Sequence, residues 1–159
     1  MLEVQPRDSR SYFMLPQAPE EAGYYVYGRP GGGAYQFAHP SMLGVILFVE
    51  REWASIDNRK FGVGNISLSG GAARQDHASH QDGLQVDIRP LRKDGLQLPV
   101  TWHQTDEYDK DATARIIGLF FTHPLVTQVL FNDTGTDPRV RPWDHHDDHF
   151  HVGIKASGG

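Results

Sequence analysis

The sequence predicts an α+β fold, with a small antiparallel sheet flanked by two helices and long loops. Two segments have the apolar spacing of a helix, and several others alternate apolar and polar residues with the period of a β-strand. A chain of 159 residues can bury a sizeable core, and 38% hydrophobic against 22% charged residues is typical of a globular protein. We therefore predict a single domain over residues 1–159.

Both predicted helices have recognisable ends. Residues 40–56 begin with a proline, which suits a first helical turn, and continue with apolar residues that form a broad face ending near Trp53. Residues 109–124 begin with acidic side chains, whose charge favours a helix N-terminus, and Pro124 marks the stop. We expect these two helices to flank the sheet.

Four further segments are predicted to be strands: 61–70, 84–90, 125–132 and 149–154. Residues 1–38 are rich in Gly, Pro and Tyr, so they predict turns, with residues 1–24 as an extended lead-in. The run "GRPGGGA" lacks the Lys-Ser/Thr of a phosphate-binding loop and predicts a turn-rich loop instead. Residues 155–159 are predicted to be a flexible tail.

Composition excludes several classes of function. A net charge of −5 without any basic run argues against nucleic-acid binding, and no apolar stretch is long enough to span a membrane. The first residues lack the pattern of a signal peptide, which leaves the export route open. Because the chain has no cysteine, thiol nucleophiles, disulfides and thiolate metal sites are excluded. Any metal must be held by His, Asp or Glu, which favours zinc or another borderline metal.

Six of the nine histidines lie in two short windows, 77–80 and 145–151. In the strand that follows the first window, Val86 and Ile88 share one face and Asp87 points to the other. His80 precedes this aspartate by seven residues, and Gly83 between them lets the loop fold back. The pattern predicts that His80 and Asp87 approach each other.

The second window has the same two-faced pattern. Phe150 and Val152 are predicted to point inward, while His149 and His151 stand together on the opposite face. One imidazole can then bind a metal while its neighbour lies over a bound water. No H-E-x-x-H motif is present, the chain is too short for an amidohydrolase barrel of about 250 residues, and no cupin-type carboxylate follows the His-x-His. The residues alone therefore predict a mononuclear zinc hydrolase.

The remaining histidines and the nearby aspartates are assigned supporting roles. We expect surface or capping positions for His39, His103 and His123. We expect solvated positions, or positions that orient the imidazoles, for Asp82, Asp144, Asp147 and Asp148.

The phrases "SHQDGLQVDIRP" and "VRPWDHHDDHFHV" together resemble the penicillin-insensitive murein endopeptidase family. This family belongs to the grouping of zinc peptidases that includes lysostaphin-type and D-alanyl-D-alanine peptidases. "YGRPGGGAYQFAHP" and "FGVGNISLSGG" are similar as well, so the resemblance covers about residues 25–154.

The resemblance implies a role for each matching position. It places the zinc ligands at His80, Asp87 and His151, and the general base or transition-state stabiliser at His149. His77 and His146 match family histidines near the metal. The histidine at the position of His77 is sometimes counted as an additional ligand. The family's second-metal positions have no counterpart that we can place in "TWHQTDEYDKDA", so we expect one catalytic Zn²⁺.

The implied activity is zinc-dependent hydrolysis of peptidoglycan cross-links between D-alanine and meso-diaminopimelate, in the periplasm or at the cell wall. Three alternatives stay open: a stem-peptide carboxypeptidase, an amidase on the same scaffold, and a non-catalytic domain that binds zinc or cell wall. A phage lysin would require a holin as its partner, and a toxin delivered into a rival cell would require an immunity protein.

Overall fold

A computed structural model of the chain describes residues 6–17, 20–72 and 80–156. The described elements are β1 (Phe13–Met14), β2 (Tyr24–Val26), β3 (Phe37–Ala38), α1 (Pro40–Ala54), β4 (Phe61–Val63), a 3₁₀ turn (Ser69–Gly71), β5 (Gln85–Arg89), α2 (Lys110–Thr122), β6 (Val126–Leu130) and β7 (Phe150–Ile154). The predicted α+β class is confirmed. Neither of the two described α-helices is long and apolar enough to cross a membrane.

The main sheet has five strands in the order β2-β4-β5-β7-β6, and β1 pairs with β3 in a second, two-stranded sheet. The pairs β4–β5, β5–β7 and β7–β6 are antiparallel, as predicted, but β2 and β4 are parallel. The parallel pair forms because α1 lies between these strands in the chain and provides the crossover that parallel pairing needs. The segment 1–38, predicted to form turns, thus contributes a strand to the main sheet.

Both helices begin and end close to the predicted residues. The His39 side chain caps α1 by accepting a hydrogen bond from the Ser41 amide, which confirms its expected capping position. Asp109 caps α2 in the same way by accepting from the Ala112 amide. The second helix ends at Thr122 because His123 has an extended backbone and precedes a proline, which disfavours the helical conformation.

The predicted strand at 61–70 is a regular strand only over Phe61–Val63, although Gly64 and Asn65 still exchange hydrogen bonds with Asp87 of β5. Beyond Asn65 the chain changes partners, since the Ile66 amide donates to the Tyr35 carbonyl and the Phe37 amide donates to the Ser67 carbonyl. This segment therefore connects the main sheet to the N-terminal region. Of the predicted tail, residues 157–159 lie outside the described residues.

The core lies on the apolar face of the sheet, where α1 and α2 bury their side chains in one cluster with those of the central strands. Phe120 of α2 packs against two strands, because its ring centroid lies 6.0 Å from that of Phe150 in β7 and 6.3 Å from that of Phe61 in β4. Val86, Ile88 and Phe150 are fully buried on the same side. The helices thus occupy one face of the sheet and leave the opposite face for polar side chains.

Candidate metal centre

The register of the two central strands places an aspartate opposite a histidine. Asp87 of β5 is the direct partner of His151 of β7, and their Oδ1 and Nδ1 atoms are 3.3 Å apart. The residues on either side, including Val86 and Phe150, point into the core. The predicted alternation of faces is confirmed, because Asp87 and His151 share the polar face.

His80 joins this pair from the loop before β5. Gly83 turns the loop with φ +72°, and a Cβ there would lie 2.7 Å from the backbone nitrogen of His39, so only glycine fits. The His80 Nε2 atom lies 3.2 Å from Asp87 Oδ1, and its Nδ1 atom lies 3.1 Å from the Ile66 carbonyl oxygen. Since a carbonyl only accepts, Nδ1 carries the proton, which leaves the Nε2 lone pair facing the carboxylate.

The donor atoms of His80, Asp87 and His151 lie within 4.8 Å of one another, and all three residues are buried. Burial would raise the pKa of Asp87, but His151 and His80, where protonated, donate hydrogen bonds to it, and with the charges of the histidines they hold that pKa well below its usual range. The carboxylate is therefore ionised at neutral pH. The lone pairs of His80 Nε2 and Asp87 Oδ1 face each other, and they repel unless a cation or a proton lies between them.

The spacing from the Asp87 carboxylate oxygen to each of the two imidazoles fits a tetrahedral metal ion. Bonds of about 2.0–2.1 Å at tetrahedral angles place ligand atoms roughly 3.3–3.4 Å apart. The distances from Asp87 Oδ1 to the two imidazoles are 3.2 and 3.3 Å. Two imidazoles and one carboxylate match the donor set of a catalytic site that keeps a fourth position open.

His149 stands beside this cluster and is held by its neighbour. Its Nδ1 atom donates to Asp148 Oδ1 over 2.8 Å, and its Nε2 atom lies 3.7 Å from Asp87 Oδ1. Burial lowers the pKa of His149, but the hydrogen bond to Asp148 and the charges of Asp87 and Asp148 outweigh this effect and raise that pKa overall. Because the side chain is 24% exposed, Nε2 can meet a molecule that enters from solvent.

The other histidines of the two windows differ in their distance from this cluster. The ring of His146 lies 4.8 Å from that of His149 and 5.9 Å from that of His151, which places it next to the cluster. His145 is exposed and has a left-handed backbone with φ 66°. His77 lies outside the described residues.

Asp147 tethers the histidine segment to a distant part of the chain. Its Oδ1 atom accepts from Trp102 Nε1 over 3.0 Å and from Asn132 Nδ2 over 2.8 Å, and its carbonyl accepts from the Trp102 amide. The ring of His103 is exposed and lies 4.1 Å from that of Trp102. A cavity of about 470 Å³ adjoins this pair of rings.

The four aspartates differ in what they support. Asp148 orients His149, as expected, whereas Asp147 holds Trp102 and Asn132 instead of an imidazole. Asp82 is exposed and accepts from the Leu84 amide in a turn. Asp144 contacts His146 through its backbone carbonyl.

Sequence reasoning missed the Ile66 carbonyl, Trp102 and Asn132. A backbone carbonyl has no residue-type signal, and the other two contact Asp147 across separations of 45 and 15 residues. No local pattern in the sequence predicts such contacts. The strand Tyr24–Val26 had a signal, because its aromatic and β-branched residues favour a strand inside the Gly-rich segment.

An ionised carboxylate and two imidazoles that converge on the polar face of a sheet define a candidate mononuclear metal site. The model of the penicillin-insensitive murein endopeptidase family matches residues 17–119, more than half of the chain. The chain belongs to this family. The match includes His80 and Asp87 and ends within α2, before β7.

Curated relatives agree with this assignment. A penicillin-insensitive murein endopeptidase of Escherichia coli is 29% identical over 174 residues, covering 87% of this chain and 60% of the relative. The protein of the same name from Citrobacter koseri is 29% identical over 175 residues, with the same coverage. The chain thus spans about 60% of the length of the curated relatives that it matches.

Proposed function

We propose that this chain is a zinc-dependent peptidoglycan hydrolase that cleaves peptide cross-links. The observation that carries the proposal is the buried group of His80, Asp87 and His151 beside a histidine that a carboxylate orients. A structural metal site would be closed by four protein ligands, whereas the three that converge among the described residues leave a position for the reaction.

Zinc is the metal that best fits the donor set, because two imidazoles and one carboxylate without thiolates suit a borderline ion. His80 would bind through Nε2, Asp87 through Oδ1 and His151 through Nδ1, the atoms that face one another. When bound, Zn²⁺ supplies a Lewis acid that polarises a scissile carbonyl and makes water nucleophilic near neutral pH.

His149 is the proposed proton carrier. With its Nδ1 proton donated to Asp148, its Nε2 lone pair is available to accept a proton from the attacking water. The same nitrogen can then return the proton to the leaving amine as the amide bond breaks. His146, whose ring lies 4.8 Å from that of His149, donates its Nδ1 proton to the Asp144 carbonyl, so its Nε2 lone pair offers a second proton acceptor beside the site.

Family membership supports the substrate. The relatives are named murein endopeptidases, and we propose the same class of bond here, the amide between D-alanine and meso-diaminopimelate. This substrate would place the site of action in the periplasm or at the cell wall.

Digestion of purified Gram-negative peptidoglycan tests the proposal, with mass spectrometry of the soluble products. The digestion is run with the purified protein, with a chelator, and with zinc added back, and the His149→Ala variant controls for contaminating hydrolases. We expect cross-linked dimers to become monomers, chelation to stop the reaction, and zinc to restore it.

Other products would identify the alternatives. Loss of a terminal D-alanine without loss of dimers would indicate a carboxypeptidase, and release of whole stem peptides would indicate an amidase. Binding to sacculi without soluble fragments under every metal condition would replace the proposed enzyme with a binding domain.

A further inference from the structure

The hydroxyl of Tyr27 is buried and has no hydrogen-bond partner among the described residues. Two other buried tyrosines use theirs, since Tyr24 donates to the Pro16 carbonyl and Tyr108 donates to Asp133, both over 2.7 Å. A buried hydroxyl without a partner costs about 1–3 kcal/mol. A buried hydroxyl without a hydrogen bond needs an explanation, and one explanation is an acceptor that comes within reach in another state of the protein.

Tyr27 lies on the polar face of the sheet, next to the strand that carries Asp87. Its amide donates to the Val63 carbonyl, so it continues the pairing of β2 with β4. The end of its ring lies over Gly64, where an added Cβ would be 2.6 Å from Cζ and 2.8 Å from the hydroxyl oxygen. The Gly64 amide in turn donates to the Asp87 carbonyl. The missing side chain at Gly64 thus leaves room for the phenol to extend towards Asp87.

Arg89, which lies on β5 together with Asp87, packs against the ring of Tyr27. Its guanidinium carbon lies 3.8 Å from the ring centroid, a cation–π contact that restrains the ring. Burial, and next the charge of Asp87, raise the pKa of Tyr27 well above its ordinary value. The phenol is therefore protonated at neutral pH, and its O–H group is a donor.

We propose that, in the metal-bound protein, the Tyr27 hydroxyl donates a hydrogen bond to the Asp87 carboxylate and positions it as a ligand. The hydroxyl is sealed from solvent, so its acceptor must be a neighbouring buried group. Asp87 is such a group, and its contacts with His80, His149 and His151 all fall on Oδ1, which leaves Oδ2 for another donor. Tyr27 is thus a positioning residue that acts through Asp87, and this inference rests on the proposed metal centre.

The zinc affinity of the Tyr27→Phe variant tests the inference, measured by competition with a chromogenic chelator in the absence of substrate. Tyr25→Phe is the matched control, because Tyr25 is buried on the same face with its ring 6.5 Å from that of Tyr27. Loss of a group that orients a metal ligand weakens metal binding by about 10–100-fold. We expect this loss for Tyr27→Phe, and zinc binding within twofold of the wild-type protein for Tyr25→Phe.

Unfolding of the metal-free proteins separates positioning from a structural role. Since Tyr27→Phe removes an unpartnered hydroxyl, we expect its metal-free form to be at least as stable as the wild-type protein. Wild-type zinc affinity in Tyr27→Phe would overturn the inference, whether or not the protein cleaves murein. Failure of the wild-type protein to bind zinc would also overturn it, whereas zinc binding without murein cleavage would contradict only the proposed function.

Discussion

Asp87 and His151 are direct partners across the antiparallel strands β5 and β7, and their side chains meet on the polar face with 3.3 Å between Oδ1 and Nδ1. Both positions are thus fixed by the hydrogen-bonded ladder of the sheet. Only His80 of the three proposed ligands comes from a loop, and the Ile66 carbonyl holds its ring. A site with two of three ligands on paired strands is largely preformed before a metal binds.

The proposed ligands can be tested one at a time. We expect His80→Ala and His151→Ala to remain folded and to lose bound zinc, because each removes one of three donors from a buried site. Metal content after dialysis, together with circular dichroism, measures both outcomes. His145→Asn is the control, since His145 is exposed and asparagine tolerates its left-handed backbone. Full zinc content in folded His80→Ala and His151→Ala would refute the ligand assignment.

His149 and its aspartate should affect turnover more than metal binding. We expect His149→Ala to keep its zinc and to lose about 10²–10⁴-fold in kcat, the usual contribution of a positioned general base. Asp148→Ala should cause a smaller loss, because the imidazole remains but its orienting acceptor is gone. Steady-state rates on defined dimeric muropeptides give both values. A His149→Ala variant with near-normal kcat would exclude this residue from the proton transfer.

The Asp147 tether should control the order of the histidine segment. Asp147→Ala removes the acceptor for Trp102 and Asn132, two hydrogen bonds worth about 0.5–1.5 kcal/mol each. We expect faster amide hydrogen exchange around residues 144–149 and a lower kcat, with zinc still bound. Asp144→Ala is the control, since the contact of Asp144 with His146 uses the backbone carbonyl. Equal exchange rates in the two variants would argue against the tether.

Acid should weaken the start of α2. Burial raises the pKa of Asp109, but the Ala112 amide and the Arg59 guanidinium outweigh burial and leave that pKa below its ordinary value. A carboxyl whose pKa is lower in the folded than in the unfolded chain stabilises the fold above its unfolded pKa of about 3.9, and this contribution is lost as pH falls through the folded pKa.

We therefore expect Asp109→Ala to lower the free energy of unfolding by about 1 kcal/mol at pH 7, the usual loss for a helix N-cap, and by less at pH 3. Urea unfolding of the metal-free protein at both pH values measures the difference. Asp111→Ala is the control, because Asp111 lies in the first turn of the same helix and is exposed. A loss for Asp109→Ala that does not depend on pH would contradict the charge-based explanation.

Two glycines should respond to alanine in opposite directions. At Gly64 a Cβ would lie 2.6 Å from Tyr27 Cζ, so we expect Gly64→Ala to destabilise the protein by about 1–3 kcal/mol through overpacking. At Gly44, inside α1, nothing lies within 4 Å, and alanine should stabilise the helix by roughly 0.5–1 kcal/mol. Thermal unfolding of both variants measures the contrast. Similar shifts in Tm for the two variants would show that the Tyr27 ring moves aside without a cost in stability.

Much of the site could be predicted because its signals are local. Alternation around Asp87 and His151 assigned each side chain to a face, and Gly83 indicated a loop that returns His80 to the strand. The structure brings these residues together as expected, while their roles as ligands stay a prediction. The parallel pair β2–β4 was not predicted, because a strand of three residues inside a Gly- and Pro-rich segment gives a weak pattern.

The sequence by itself determined the α+β class, the two helices and the face on which His151 of β7 stands. These features depend on helix and strand periods and on capping residues, which act over a few positions. Only the tertiary structure decided that Asp87 pairs with His151, that Trp102 donates to Asp147, and that the Tyr27 ring lies over Gly64. Those contacts join residues far apart in the chain, and packing of the whole sheet selects them.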